Sequence, residues 1–352
     1  MEFKTYEVRK NNIGQPLSAM LKRIFADKSW TDVKRLVTSR RIQINGNLCT
    51  DETRRLKPGE VVRIAEASLD KPPDEEQITL RYQDEHLLVV EKPAGVTTLR
   101  HAEERDWDEK RKNRQNTLDE LLQKLIDRHG IARMPGRGAG AGGQQQHRKQ
   151  LNKQVQRGRA RIKVRAVHRL DRDTSGLMVF ALSTAAEQEL VRGFSKHLYT
   201  RAYLAVVHGH IDQPRTIETN FVRDRGDGLR GSLPQGQTAP DAKPAITHIK
   251  PVRRVGDYTL IECKLETGRT HQIRIHLAEI GHRLCGETTY NRPLGGETLP
   301  DNSGAPRQVL HAYRLGLTHP ITGGPMNFEM KMPRDLQRWL KRLEDVNEAP
   351  AE

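Results

Sequence analysis

In HRLDRDTSG, His168 to Gly176, an aspartate stands between two arginines and just ahead of a glycine, with apolar runs on both sides. An ionised carboxylate in such surroundings is costly unless a cation or a set of donors meets it. Two chemistries fit Asp171: a carboxylate kept charged in order to react, or a turn in which Asp171 or Asp173 accepts backbone N–H groups. Asp173 and Thr174 are expected to shape the loop by capping backbone groups near Gly176.

Other stretches carry groups that could act with it. RAYLAVVHGHI alternates from Tyr203 as a strand does. TGRTHQIRIHLAEIGH reads as a helix with Thr270 as N-cap, Ile273, Leu277 and Ile280 on one face, and Gly281 as the C-terminal cap. Arg274 then lies one position round from the apolar face. His168, His271 and His276 invite a metal reading, but His271 and His276 are five apart and fall on different helix faces, unlike the i,i+4 pair of a helical metal site. Cys49, Cys263 and Cys285 form no CxxC pair, which argues against a cysteine zinc site and a disulfide framework alike. No metal is expected.

The elements that must position these groups are legible in part. DEHLLVVEKPAGV holds a continuous apolar run, Leu87 to Val90, fit for a buried strand that ends at Lys92. ITLRYQ precedes it as a second strand, GLMVFALS is another buried run, AAEQELVRGF a helix, and YTLIECKLETG a further strand. At the N-terminus LSAMLKRIF and TDVKRLVTSR have helical spacing, the second with Thr31 as its cap. RIQINGNLC alternates around Asn45-Gly46, and LKPGEVVRI brings a Pro58-Gly59 turn into a closing strand. SLDKPPDEEQ is polar, carries a double proline and suits a linker.

Composition points to a polyanionic partner. The 352 residues carry a formal charge of +15 and a pI near 9.8, so nucleic acid is the leading candidate. No window approaches a membrane span, and MEFKTYEVRKNN lacks the apolar core of a signal peptide, so a cytoplasmic chain without membrane contact is expected. Between Ile131 and Val167 there are ten Lys/Arg and no Asp/Glu. GAGAGG there satisfies GxGxxG, yet neither a preceding strand nor a following helix supports a dinucleotide site. A basic loop that orders on RNA phosphates and a tolerated surface insertion both fit this run.

Taken together, HRLDRDTSGLMVFA, RAYLAVVHG and TGRTHQIRIHLAEIGHRLCG, with DEHLLVVEKPAGV upstream and LHAYRLGLTHPITG downstream, resemble the successive motifs of the RluA-type pseudouridine synthases. The resemblance implies isomerisation of uridine in RNA without metal or organic cofactor. It marks Asp171 as the family's catalytic aspartate, Arg274 as the cation that keeps it ionised, and Tyr203 as the active-site tyrosine that stacks on uracil and helps remove the proton from base carbon 5. Arg169 matches the arginine that fills the space left by a flipped-out base, and His168, Lys92 and Arg201 are expected beside the RNA. Three departures stand out: FALS lacks the usual lysine, Arg201 replaces a lysine, and Gly286-Glu287 replaces Gly-Asp.

The fold so implied is α/β (α+β), a mixed, largely antiparallel central sheet with flanking helices and a cleft across its middle. Residues 13–66 resemble an S-four-like RNA-binding domain, a small α/β unit that would present Lys34, Arg35, Arg40 and Arg41 to RNA. A linker over 67–77 and a catalytic domain over 78–342, interrupted by an insertion at 100–165, complete the expected organisation. The expected partner is RNA, ribosomal of the large subunit first and transfer RNA as the alternative, for a monomer. Two rival readings stand beside it: a non-catalytic RNA-binding or ribosome-assembly factor, and a metal-dependent nuclease.

Overall fold

A computed structural model describes residues 3–348 apart from 9, 45, 46, 59, 67, 69–77, 101–103, 105, 130–161 and 235. The Asn45-Gly46 turn, Gly59, most of the linker and the run containing Gly138 to Gly143 therefore lie outside the described residues.

Two short amphipathic helices bury one face each against a small sheet. Leu17, Met20 and Leu21 of the helix Leu17–Ile24, and Val33, Leu36 and Val37 of the helix Trp30–Thr38, meet Ile42, Ile44, Val62 and Ile64. The second helix is capped by Ser29 rather than by Thr31. Ser29 Oγ accepts the Asp32 N–H at 3.1 Å, and the Asp32 carboxylate accepts the Ser29 N–H at 3.3 Å. This reciprocal box satisfies two end donors at once, which a threonine two residues later does not match.

Strands β1 (Phe3–Glu7), β2 (Ile42–Ile44), β3 (Asn47–Leu48) and β4 (Val61–Ala65) pair in the order β1-β4-β2-β3, all antiparallel. Pairing of β1 along β4 carries the sheet upstream of Ile13 to Phe3. A single five-residue strand offers too little alternation to be read from sequence alone.

The large sheet is built from β5 (Thr79–Gln83), β6 (Leu87–Lys92), β7 (Arg165–Ala166), β8 (Ser175–Ala181), β9 (Thr200–His208), β10 (Arg215–Val222), β11 (Gly231–Ser232), β12 (Lys243–Val255), β13 (Tyr258–Leu265), β14 (Leu310–Thr318) and β15 (Pro325–Glu329). Its order is β11-β10-β12-β13-β9-β14-β8-β6-β5, with β15 on β14 and β7 on β8. The apolar runs read as buried strands are covered on both faces. Leu88, Val90, Met178 and Phe180 point into the core beneath the helices Leu118–His129 and Gln272–Glu279, while Leu87, Val89, Leu177 and Val179 pack against the helix Thr184–Ser195. A further helix, Arg334–Glu348, brings Leu336 and Trp339 against Val206 and Leu260.

Among the described residues every pairing in this sheet is antiparallel except β8 with β14, joined at Ser175–His311 and Gly176–Ala312. The HRLDRDT loop enters the sheet at this junction. Gly176 sits at φ +135°, and a Cβ there would lie 2.3 Å from the Ala312 carbonyl oxygen. Only glycine lets the two parallel strands meet so closely behind the loop.

Candidate active site

The loop before β8 is held by its carbonyls. Lys92, fully buried, donates from Nζ to the carbonyls of Pro93, Arg172 and Thr174 at 3.0, 2.9 and 2.8 Å. Arg307 donates to the Asp173 carbonyl at 3.0 Å, and Thr98 Oγ1 donates to the Leu170 carbonyl at 2.8 Å. The Gly95 N–H also reaches the Arg172 carbonyl at 2.9 Å. Burial draws Lys92 down to about 7, yet three carbonyl acceptors suit the three protons of the ammonium form. Lys92, expected beside RNA, is thus a fully buried internal strut in the RNA-free protein. Thr174 Oγ1 accepts from the Gln308 side chain at 2.8 Å, and Asp173 is held through its carbonyl while its side chain lies 3.8 Å from Arg172, contacts other than the backbone caps expected of the two.

Asp171 is the focus of this frame. Its side chain keeps only 17 % exposure, and Arg274 Nη1 stands 3.6 Å from Oδ2. Burial opposes ionisation, but His271, Arg274, Arg169 and Lys92 together hold the carboxyl below its ordinary value. Arg274, a hundred residues downstream, therefore supplies a cation across from Asp171. Arg274 is itself fixed by Glu287, which accepts from Nε at 2.8 Å and from Nη2 at 2.6 Å. Glu287 Oε1 also takes the backbone N–H groups of Thr288, Thr289 and Tyr290. The glutamate that replaces aspartate at this position is thus a buried anchor rather than an RNA contact.

The helix carrying Arg274 starts later than expected. His271, not Thr270, is the N-cap residue, and its backbone is left-handed at φ 60°, ψ 19°. Gln272 through Leu277 are buried all round and Glu279 at the end of the helix is exposed, so the amphipathic reading gives way to a core helix. Gly281, at φ +84°, follows its end as expected. His276 is bonded to Thr247 and Thr219, whereas His271 Nδ1 meets the Tyr290 hydroxyl at 2.8 Å and its Nε2 lies 3.8 Å from Asp171 Oδ1. Among the described residues no three His, Cys, Asp or Glu side chains gather as a metal ion requires.

Tyr203 lies on β9 with 6 % exposure, on the sheet face that carries the Gln272–Glu279 helix. Burial pushes its phenol above the ordinary value and the Asp171 charge adds to this, so the hydroxyl keeps its proton at neutral pH. Arg169 is exposed beside Asp171. His168 is not: Nε2 accepts the Val179 N–H at 3.1 Å and the ring stacks on Phe194 at 4.5 Å. Burial holds this histidine near 3, so it is neutral and bonded to the β8 backbone in the RNA-free protein. Arg201 is similarly committed, donating to the Glu266 carbonyl at 3.0 Å with its guanidinium over Phe194.

On the N-terminal unit Lys34 and Arg35 are exposed, paired at the surface with Glu52 and Asp32. Such pairs are weak and exchange readily for phosphate. Arg40 and Arg41 are half-buried, and Arg41 Nε donates to the Ala65 carbonyl at 2.8 Å, so it braces β4.

Comparison with known proteins adds an independent line. The profile of the RNA pseudouridylate synthase family matches residues 86–279, which include Asp171, Tyr203 and Arg274. The chain is 33% identical over 272 residues to ribosomal large subunit pseudouridine synthase D of Zymomonas mobilis, covering 77% of this chain and 74% of that one. The Escherichia coli O157:H7 protein of the same name is 30% identical over 345 residues, covering 94% and 91%. The corresponding Neisseria meningitidis serogroup B protein is 33% identical over 286 residues, of which this chain spans 65% of the length. The solved structure of human RNA pseudouridylate synthase domain containing 4 superposes with a TM-score of 0.52 at 20% identity, covering 75% of this chain and 92% of that one, and shares the fold.

Proposed function

The chain belongs to the RNA pseudouridylate synthase family, and from that premise we propose that it isomerises uridine to pseudouridine in RNA, with large-subunit ribosomal RNA as its substrate. The observation that carries this reading is a buried Asp171 kept ionised by Arg274, on the same sheet face as Tyr203. A non-catalytic binder has no use for a buried carboxylate opposed by an arginine that a second buried carboxylate aims.

In the reaction the bond between ribose C1′ and uracil N1 breaks, the base turns, and C1′ bonds to C5. The C5 proton is lost and N1 gains one, so substrate and product are isomers. Asp171 supplies the negative charge against which C1′ detaches, in a pocket where low dielectric strengthens that interaction. Tyr203 lies against the turned base and carries a protonated hydroxyl suited to proton exchange at C5. Arg169 fills the gap left in the RNA stack, and Lys34 and Arg35 hold phosphates at a distance from the chemistry. The enzyme works as a cytoplasmic monomer.

Pseudouridine maps of total RNA from cells lacking the chain, complemented with wild type or with Asp171→Asn, test the reading. A large-subunit ribosomal site missing in the knockout, restored by wild type and not by Asp171→Asn, is expected. A missing site in transfer RNA would move the substrate, and unaltered maps would return the chain to a binding role.

A further inference from the structure

His271 has three properties that the proposed mechanism leaves unused. It is a non-glycine residue in the left-handed region, its imidazole lies between Tyr290 and Asp171, and its Nε2 is paired with Asp171 Oδ1 whereas Arg274 Nη1 is paired with Oδ2. The left-handed backbone of a side-chain-bearing residue costs roughly 1–2 kcal/mol, and such strain persists where the surroundings over-determine it. Here they do: the turn that begins at Glu287 fixes Tyr290, and Tyr290 fixes the ring.

The direction of the proton follows from the neighbours. Burial holds the imidazole near 4, so it is neutral at working pH and carries one N–H. Tyr290, 4 % exposed and pushed well above the ordinary phenol range by burial, keeps its proton, so its hydroxyl is available to donate to Nδ1 across 2.8 Å. With that donation the ring proton sits on Nε2, which faces Asp171 Oδ1 at 3.8 Å. The guanidinium of Arg274 lies over the Tyr290 ring at 5.2 Å, so ring and cation are packed as one block. Contacts of this length in substrate-free sites close when substrate is bound.

We propose that His271 is a positioning residue for Asp171: Tyr290 locks it in the Nε2–H tautomer, and it donates to Oδ1 while Arg274 faces Oδ2, so that each carboxylate oxygen has its own donor. This rests on the proposed reaction for its consequence in turnover, but the geometry concerns the RNA-free protein. The groups facing Asp171 are Arg274 and His271 from the Gln272–Glu279 helix and its cap, Arg169 from its own loop and Lys92 from β6. Tyr203 of β9 faces it uncharged. Arg274, Asp171, Glu287 and Arg169 are the charges around His271.

The experiment follows the Asp171 carboxyl by 13C NMR in RNA-free full-length protein, assigned against Asp171→Asn, alongside the pH profile of pseudouridine formation. His271→Gly removes the imidazole without adding backbone strain at a positive φ. Its Asp171 titration should move up by roughly 0.5 pH unit, because an N–H poised at 3.8 Å favours the ionised carboxylate even before the contact closes. The acid limb of kcat should move to higher pH with it, and kcat should fall roughly 10- to 100-fold with KM within about threefold. His271→Gln, whose amide N–H reaches about as far as Nε2, should recover at least part of both effects, and Tyr290→Phe should give a smaller shift of the same sign. Unmoved titrations in the glycine and phenylalanine variants would overturn the inference. So would a glutamine variant no better than glycine. A wild-type protein that forms no pseudouridine would sink the proposed reaction, while the Asp171 titrations would still decide the role of His271.

Discussion

Glu287 grips Arg274 by two parallel hydrogen bonds and thereby turns the third guanidinium nitrogen, Nη1, toward Asp171. The buried glutamate does not touch the reacting carboxylate; it sets the direction from which the balancing charge arrives. Glu287→Gln keeps the shape and removes the charge, leaving Arg274 free to swing fully onto Asp171. Breaking such a buried pair costs about 3–5 kcal/mol, so a fall in unfolding free energy of that order in urea is expected. Turnover should fall with it. Glu287→Asp keeps the charge one methylene short and should lie between the two.

The same pair gives the fold an acid sensitivity with a definite sign. Burial alone would raise the Glu287 carboxyl, but Arg274 and the Thr289 and Tyr290 N–H groups bring it to about 2. A folded pKa below the unfolded value of about 4.3 contributes stability that is fully present above that value and is lost as pH falls toward 2. The amount is roughly 3 kcal/mol. Urea midpoints at pH 6 and pH 3 should therefore show wild type and Glu287→Gln drawing together at the lower pH. A constant gap would mean that Glu287 does not titrate with unfolding.

How much of this was legible beforehand depends on whether a residue's role is local. The buried strands follow from apolar patterning, whereas the pairing of Asp171 with Arg274 is implied only by the family resemblance, since nothing local in HRLDRDTSG points a hundred residues downstream. Lys92, His168 and Arg201 make internal bonds that their sequence context does not reveal. A charged or polar group at a strand end looks like surface until its carbonyl, backbone or aromatic partner, often a distant one, is known. Glu287 and Tyr290 carried no signal beyond a departure from a pattern, because their partners are 13 and 19 residues away across a turn whose shape has no sequence period. The Thr270 cap failed similarly, since a left-handed histidine is dictated by tertiary contacts and not by propensity.

Lys92 offers a direct test of the internal-strut assignment. Lys92→Met retains the aliphatic stem and deletes three donors to the loop carbonyls. Turnover should drop by roughly 10-fold or more, because the cost of unmet buried carbonyls falls on the loop that bears Asp171. RNA affinity and its dependence on salt should stay unchanged, since no phosphate counterions are involved. A reduced salt slope would instead place Lys92 at the RNA.

Gly176 should tolerate nothing larger. At φ +135° with the Ala312 oxygen 2.3 Å from the site of a Cβ, Gly176→Ala must part β8 from β14 at their parallel junction. A loss of roughly 3 kcal/mol or more is expected. Thermal unfolding would reveal it, and activity should suffer beyond the stability loss because the catalytic loop enters at that point. A variant with wild-type stability would show that the junction can relax.

Arg169 differs from the other loop residues in being exposed next to a buried carboxylate, which is the disposition a wedge into RNA needs. Unstacking a paired uridine costs a few kcal/mol, whereas an already unpaired one requires little. Arg169→Ala should therefore lower kcat/KM by about 10-fold or more on a folded ribosomal RNA stem and by less than about twofold on a short unstructured strand with the same target. The discriminating quantity is the ratio between substrates. An equal loss on both would mean that Arg169 serves the Asp171 charge, which it also faces, rather than the opening of the RNA.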